Sequence, residues 1–222
     1  MRLTAEDHAL VTEAVAAAER TTDGEIVTIV ARSSDAYHDA ALHWVVLAML
    51  LVPAALASVP ALAQAAAAPF GDAWGTPSIA ALLLSVLVSE AVAFLLVRAA
   101  LAYRPLRLAL TPRATRARRV RARALALFAA SAEQRTVGRT GVLLYLSLDE
   151  HRAEIIADAA IHGLVAPDTW GAAMAAMLPE LRARRPGAGM AAAVARIGMV
   201  LAEHFPKTET DVNELPDRLI VL

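Results

Sequence analysis

Two long apolar runs in the middle of the chain constrain its fold more than any other feature. Residues 41–63 hold no acid, lysine or arginine, and residues 77–97 hold one, Glu90. A bilayer core about 30 Å thick takes roughly 20 apolar residues of helix, so each run is long enough to cross. Two crossings return a chain to the side from which it started. The polar segments before and after the runs are therefore expected in one compartment, free to fold together. This reading divides the chain into a first polar part (1–35), a first membrane helix (41–63), an external connector (64–76), a second membrane helix (77–101), and a basic helix with the second polar part (104–222). The competing reading is a soluble all-helical core that buries both runs. With 58% hydrophobic residues in 222, the chain is more apolar than an ordinary soluble protein.

Charge sets the expected orientation. Nine arginines and no acid lie between Arg98 and Arg123, whereas residues 64–76 hold no basic residue and one acid, Asp72. Basic residues collect on the cytoplasmic flanks of membrane helices, so the connector is expected outside and both polar segments in the cytoplasm. Twenty arginines against the single Lys207 suit a high-GC bacterial genome, and the expected setting is the inner membrane of a bacterium. Trp44, Trp74 and Tyr103 fall near where interfacial aromatics belong, and Pro53 and Pro60 are tolerated in membrane helices. Glu90 is expected to face a partner helix or to snorkel towards the interface. Arg113, Arg116, Arg118, Arg119, Arg121 and Arg123 are expected against anionic lipid, worth about 1 kcal/mol each. The bland alternative is that they determine topology alone. No aromatic residue interleaves them, so nucleic acid is not an expected partner.

The polar segments read as mixed α/β. There is no cysteine, which excludes disulfides, thiolate metal sites and cysteine nucleophiles. Residues 1–39 are acidic and amphipathic and do not read as a signal peptide. Thr4 opens a helix with Asp7 as a capping-box variant. Glu25–Ala31 (EIVTIVA) and Gly141–Ser147 (GVLLYLS) read as strands, and residues 153–158 (AEIIAD) as a third, joined to the second as a hairpin. Helices are expected over 111–135, from Pro167 or Asp168, and over 190–205, with the tail from Pro206 largely irregular. A lone strand cannot satisfy its backbone groups, so the strand at 25–31 needs the hairpin at 141–158 beside it. The fold class is thus an α/β sandwich interrupted by a two-helix membrane hairpin.

Carboxylates are the candidate metal ligands. Asp149, Glu150, Glu154 and Asp158 lie on or beside the hairpin, and Glu25 begins the neighbouring strand. Hard cations such as calcium or magnesium need several oxygens at one point, and Asp158, Glu154, Glu25 and Asp149 are the candidate ligands. Glu154 and Asp158 differ by four and share a face of a strand. The alternative is a sheet edge blunted by charge. For phosphate chemistry, Arg139, Thr140, His151 and Arg152 offer a guanidinium fork, a hydroxyl and an acid–base group. Asp158, Arg139 and His151 are the candidate catalytic residues, and the plainer reading makes them caps and surface pairs. Histidine pairs at helical metal spacing are absent, so zinc is not expected.

Three stretches carry a family resemblance: Asp23-Gly24-Glu25-Ile26-Val27, Arg139-Thr140-Gly141-Val142-Leu143-Leu144-Tyr145, and Glu154-Ile155-Ile156-Ala157-Asp158. Together they resemble the TPM domain family, and Asn213-Glu214-Leu215-Pro216-Asp217 resembles its membrane-anchored bacterial branch. The resemblance implies a small α/β/α sandwich. It also implies either an auxiliary or assembly module with a protein partner in the membrane, or a metal-assisted, acid-phosphatase-like hydrolase that binds calcium or magnesium. Two departures stand out. The hairpin interrupts the domain, and the usual glycine-rich stretch after the third strand is reduced to His162-Gly163.

Overall fold

Glu25–Ala31 (β1) is a strand because Ile26, Val27, Thr28, Ile29 and Val30 are β-branched and all seven positions are buried. Burial on both faces gives an unbroken apolar run, the pattern of a strand inside a parallel sheet. The computed structural model describes residues 3–71, 76–131, 140–209 and 217–222. Arg139, Asp72, Trp74 and residues 213–216, all singled out above, lie outside the described residues.

Gly141–Ser147 (β2) runs parallel to β1, with Glu25 opposite Gly141 and Ala31 opposite Ser147. Arg152–Ala157 (β3) turns back antiparallel to β2. The strand before the apolar runs thus pairs with the strands after them. The tail, expected to be irregular, instead adds a fourth strand, Ile220–Val221 (β4), parallel to the far edge of β1. The Leu222 N–H donates to the Val30 carbonyl at 2.9 Å, and the Arg32 N–H to the Leu222 carbonyl at 3.3 Å. These bonds satisfy backbone groups of β1 that would otherwise lack partners. The order across the sheet is β3-β2-β1-β4.

Helices cover both faces. Arg113–Ser131 (α6) sets Val120, Ala124 and Phe128, one turn apart, against Val27, Ile29, Leu143, Tyr145 and Ile156. On the other face lie Ala5–Glu19 (α1), Trp170–Arg182 (α8) and Pro186–His204 (α9). Their Val11, Val15, Met177, Val194 and Ile197 pack with Ile26, Val30, Val142 and Leu144. Each such fully buried side chain contributes about 1.5–3 kcal/mol. The result is a three-layer α/β/α sandwich.

Local chemistry starts these helices. Asp7 N–H donates to Thr4 Oγ1 at 3.1 Å, and Thr4 N–H to Asp7 Oδ2 at 2.8 Å, completing the capping box. Asp7 Oδ1 also accepts the Gly187 N–H at 3.2 Å, tying the start of α1 to the start of α9. Pro167 opens a short 3-10 turn, Pro167–Thr169, before α8. Pro186 opens α9 four residues ahead of the expected start.

The chain divides into two compact units, Met1–Asp35 with Ala114–Leu222, and Ala36–Arg113. The second unit is helical. His38–Ser58 (α2) has 21 residues and Ile79–Ala102 (α4) has 24, about 31 Å and 36 Å of helix. Both are long and apolar enough to cross a membrane. They pack against each other as an antiparallel pair, and Leu50, Leu51, Leu83, Leu87, Leu95 and Leu96 remain exposed.

The first run is not one helix over 41–63. It stops at Ser58, and Pro60–Ala67 (α3) begins after Val59. Pro60 has no N–H to continue the ladder, and it drives Val59 to an extended conformation (φ −128°, ψ 90°). Pro53, by contrast, sits inside α2. The expected helix over 111–135 is also corrected at its start. Arg104–Leu110 (α5) precedes it, and Thr111-Pro112 separates α5 from α6. Trp44 Nε1 donates to the Leu110 carbonyl at 3.3 Å, and Glu90 is half-buried.

Candidate functional site

Crevices in open α/β sheets form beyond the carboxyl ends of parallel strands. In this chain β1 and β2 end side by side, Ala31 opposite Ser147. The chain leaves β1 through Arg32, Ser33 and Ser34, and β2 through the turn that carries Asp149 and Glu150. The Leu148 and Asp149 N–H groups donate to the Ala31 and Arg32 carbonyls at 3.0 and 2.9 Å, which holds the two exits together.

A polar cluster fills this end of the sheet. Glu150 is 4% exposed. Its Oε1 accepts the Ser33 hydroxyl and the Ser34 N–H, both at 2.9 Å, and its Oε2 accepts the Ser147 hydroxyl. Ser34 Oγ lies 2.9 Å from Tyr145 OH and donates to Ser147 Oγ at 3.0 Å. Alternation along β2 puts Tyr145 and Ser147 on the α6 face, where Arg119 pairs with Asp35 at 2.5 Å. One buried carboxylate therefore gathers three donors, and the hydroxyls chain onward to a tyrosine. Such a network can orient a bound group through its outer members.

Of these five residues the sequence singled out only Glu150, as one of the carboxylates beside the hairpin, and it placed none of the other four in a site. Ser33 and Ser34 read as part of the approach to the apolar run. Tyr145 and Ser147 were hidden inside the core pattern of GVLLYLS. The available signal was two polar residues at alternate positions near the end of a buried strand, since buried hydroxyls require partners.

The four carboxylates expected to bind metal do not form one ligand set. Asp149 lies at the hairpin turn and pairs with Arg32 at 3.8 Å. Asp158 lies at the far end of β3, about 20 Å away at roughly 3.3 Å per strand residue. Glu154, in mid-strand opposite Tyr145, pairs with Arg121 at 3.3 Å. Glu154 and Asp158 were expected on one strand face, but β3 ends at Ala157, Asp158 caps the helix that follows, and four residues separate the two by about 13 Å. Glu25 and Asp158 are brought to one end: Glu25 is opposite Gly141, and the Asp158 N–H donates to the Gly141 carbonyl at 2.9 Å. Both are 5% exposed. Asp158 Oδ1 caps the short helix Ala159–His162 (α7) through the Ala159 N–H, while Oδ2 is buried with no hydrogen-bond partner. Among the described residues no three histidines or acids lie close enough together to hold a metal ion. A hard cation takes six to eight oxygens, and the proposed set of four does not supply a shared centre for one.

His151 occupies the left-handed position of the hairpin turn (φ 51°) and is exposed. With Leu178, Leu181 and Arg182 it lines a pocket of 190 Å³. It therefore sits a strand's length from Asp158, and the two cannot act on one phosphate. Thr140 donates its hydroxyl to the Asp23 carbonyl at 3.1 Å. His162 is an exposed residue at the end of α7. Of the six arginines expected against lipid, Arg119 and Arg121 bond to Asp35 and Glu154. Arg113, Arg118 and Arg123 are exposed, and Arg116 is half-buried.

The amino ends of the strands hold a second buried acid. Glu19, 9% exposed at the end of α1, accepts the Ile26 N–H at 2.9 Å. Burial pushes its carboxyl from 4.5 up to about 8; the Ile26 N–H pulls the other way, and the charges of Glu25 and Asp217 add to the rise. Because the folded value is raised, this group's stability is complete below its unfolded value near 4.5 and is lost as pH climbs towards 8. Glu19→Gln keeps the acceptor for Ile26 without the charge. It is expected to flatten the fall in stability across that window by a few kcal/mol, at about 1.4 kcal/mol per unit. Urea unfolding at both ends of the window checks this, and an unchanged slope in the variant would contradict it.

Residues 106–200 match the model of the TPM domain family. That segment holds α6, β2, β3 and most of the helical layer, while β1 comes from before the apolar runs. The fold is similar to the NMR structure of BA42 protein from the psychrophilic bacterium Bizionia argentinensis. The two chains share 18% identity with a TM-score of 0.58, over 100% of this chain and 97% of that one. No curated protein matches the chain. The match over residues 106–200 and the shared fold agree: this segment of the chain is similar to the TPM domain.

Proposed function

We propose that this chain is a membrane-anchored TPM module of a bacterial inner membrane that binds and supports a membrane complex from the cytoplasmic side. The observation that carries the reading is the split sheet. β1, from before the two apolar helices, pairs along its full length with β2, from after them. Two crossings keep both strands in one compartment, so the hairpin anchors the domain without dividing it. The arginines on α5 and at the start of α6 favour the cytoplasmic side. Arg113, Arg118 and Arg123, exposed on α6, are the residues that meet anionic lipid. The hydroxyl network around Glu150 is satisfied internally, which suits a recognition surface held in shape more than a nucleophilic centre.

A second reading, a phosphatase assisted by calcium or magnesium, is favoured by one observation, the buried Asp158 Oδ2 without a partner beside Glu25. The two readings separate on the purified full chain in detergent. The supporting-module reading expects no divalent-dependent turnover of p-nitrophenyl phosphate, and migration in mild detergent extracts with a complex larger than the chain itself. Turnover that requires the cation and vanishes in Asp158→Ala would overturn it.

A further inference from the structure

The hairpin unit contains a pocket lined wholly by its own residues. It measures 380 Å³ and is lined by His38, Leu42, Val45, Phe94, Arg98 and Arg107, with three further residues of α2 and α4. Its place in the sequence fixes its depth. His38 is the first residue of α2, Arg98 lies four residues before the end of α4, and Arg107 is on α5. α2 and α4 are antiparallel, so these residues meet at one end of the hairpin, where the apolar span gives way to the basic flank. Leu42, Val45 and Phe94 sit one to two turns further into the span.

The lining is graded. Two guanidiniums and an imidazole occupy the outer end, and aliphatic and aromatic side chains form the inner wall. None of the residues lining it is acidic. Arg107 Nη1 donates to the Leu101 carbonyl at 3.3 Å, which folds this side chain back over the end of α4 and leaves its other N–H groups for a ligand. Leu101 is itself buried, so the anchor is fixed.

We infer that this pocket binds one anionic phospholipid, its phosphate between Arg98, Arg107 and His38 and the upper part of an acyl chain along Leu42, Val45 and Phe94. The inference rests on the membrane reading above and adds a specific site to it. Basic pockets between membrane helices on the cytoplasmic side are suited to lipid phosphates. A free phosphate would use the arginines but not the apolar wall. The volume also falls in the range of about 300–1,000 Å³ typical of pockets for larger ligands.

The test uses the full chain reconstituted into nanodiscs of phosphatidylcholine with a minority of phosphatidylglycerol. Lipid that stays bound is identified by native mass spectrometry. Phosphatidylglycerol should be retained over phosphatidylcholine by about fivefold per arginine, on the order of 25-fold for the pair. R98Q/R107Q should lose the preference, and R118Q, whose arginine lies on α6 outside the pocket, should keep it. Equal retention of both lipids, or an undiminished preference in R98Q/R107Q, overturns the inference. Displacement of the lipid by glycerol 3-phosphate alone would mark a headgroup site without an acyl wall and would also overturn it. Failure of the chain to enter nanodiscs would sink the membrane reading itself, whereas entry without preference sinks only the pocket.

Discussion

Gly198→Val is expected to unfold the α/β/α unit or destabilise it by about 3 kcal/mol or more. Gly198 lies on α9 where that helix crosses α1. A Cβ placed there would sit 2.5 Å from Ala18 Cβ and 3.2 Å from Ala18 Cα. The obstacle includes backbone, so no rotamer change relieves it. The helices would have to separate, opening the layer that packs Val11, Val15, Val194 and Ile197 onto the sheet. A paired variant distinguishes this cause from helix propensity. Gly198→Ala should be destabilising alone and milder in the Ala18→Gly background, because the second change removes the colliding methyl. Thermal unfolding followed by near-UV circular dichroism supplies the four corners of the cycle. Additive effects would show that the close approach is not the cause.

Glu150→Ala is expected to cost about 3 kcal/mol, nearly as much, for a different reason. Its carboxylate accepts from Ser33, the Ser34 backbone and Ser147. Truncation leaves these donors facing a dry cavity, and each buried unsatisfied group costs about 1–3 kcal/mol unless water enters. The effect should be local to the carboxyl ends of β1 and β2. Amide exchange should accelerate at Ser34, Leu148 and Asp149 while the β2–β3 ladder away from the turn keeps its protection. Uniform loss of protection, or none, would contradict the assigned role.

Much of the fold was legible because it rests on local chemistry. β1 and β2 are runs of β-branched and aliphatic residues whose backbone groups need neighbours, so the pairing across the apolar runs followed from hydrogen-bond accounting. Thr4 and Asp7 announced the start of α1 by their spacing. β4 was not legible, because two residues make no pattern and Ile220 becomes a strand only where the free edge of β1 receives it. The break at Val59 was written in Pro60, but the apolar run around it favoured one continuous helix. The carboxyl-end network depends on register. Ser147 meets Ser34 because Ala31 is opposite Ser147, and sequence distance gives no hint of that. The same geometry undid the four-carboxylate site. Asp149 and Asp158 are nine residues apart, yet β3 carries one to the turn and the other to the opposite end of the sheet.

One α/β/α domain is assembled from the segments before and after the two apolar helices, and if those helices cross a membrane both segments share one compartment. The chain has no cysteine, so single introduced cysteines report cleanly. Glu13→Cys on α1, Glu203→Cys on α9 and Phe70→Cys beyond α3 all replace exposed residues. Each would be labelled with a membrane-impermeant maleimide in right-side-out and in inverted inner-membrane vesicles. Glu13→Cys and Glu203→Cys should label only in inverted vesicles and Phe70→Cys only in right-side-out ones. Labelling of Glu13→Cys and Glu203→Cys from opposite faces would contradict the shared compartment.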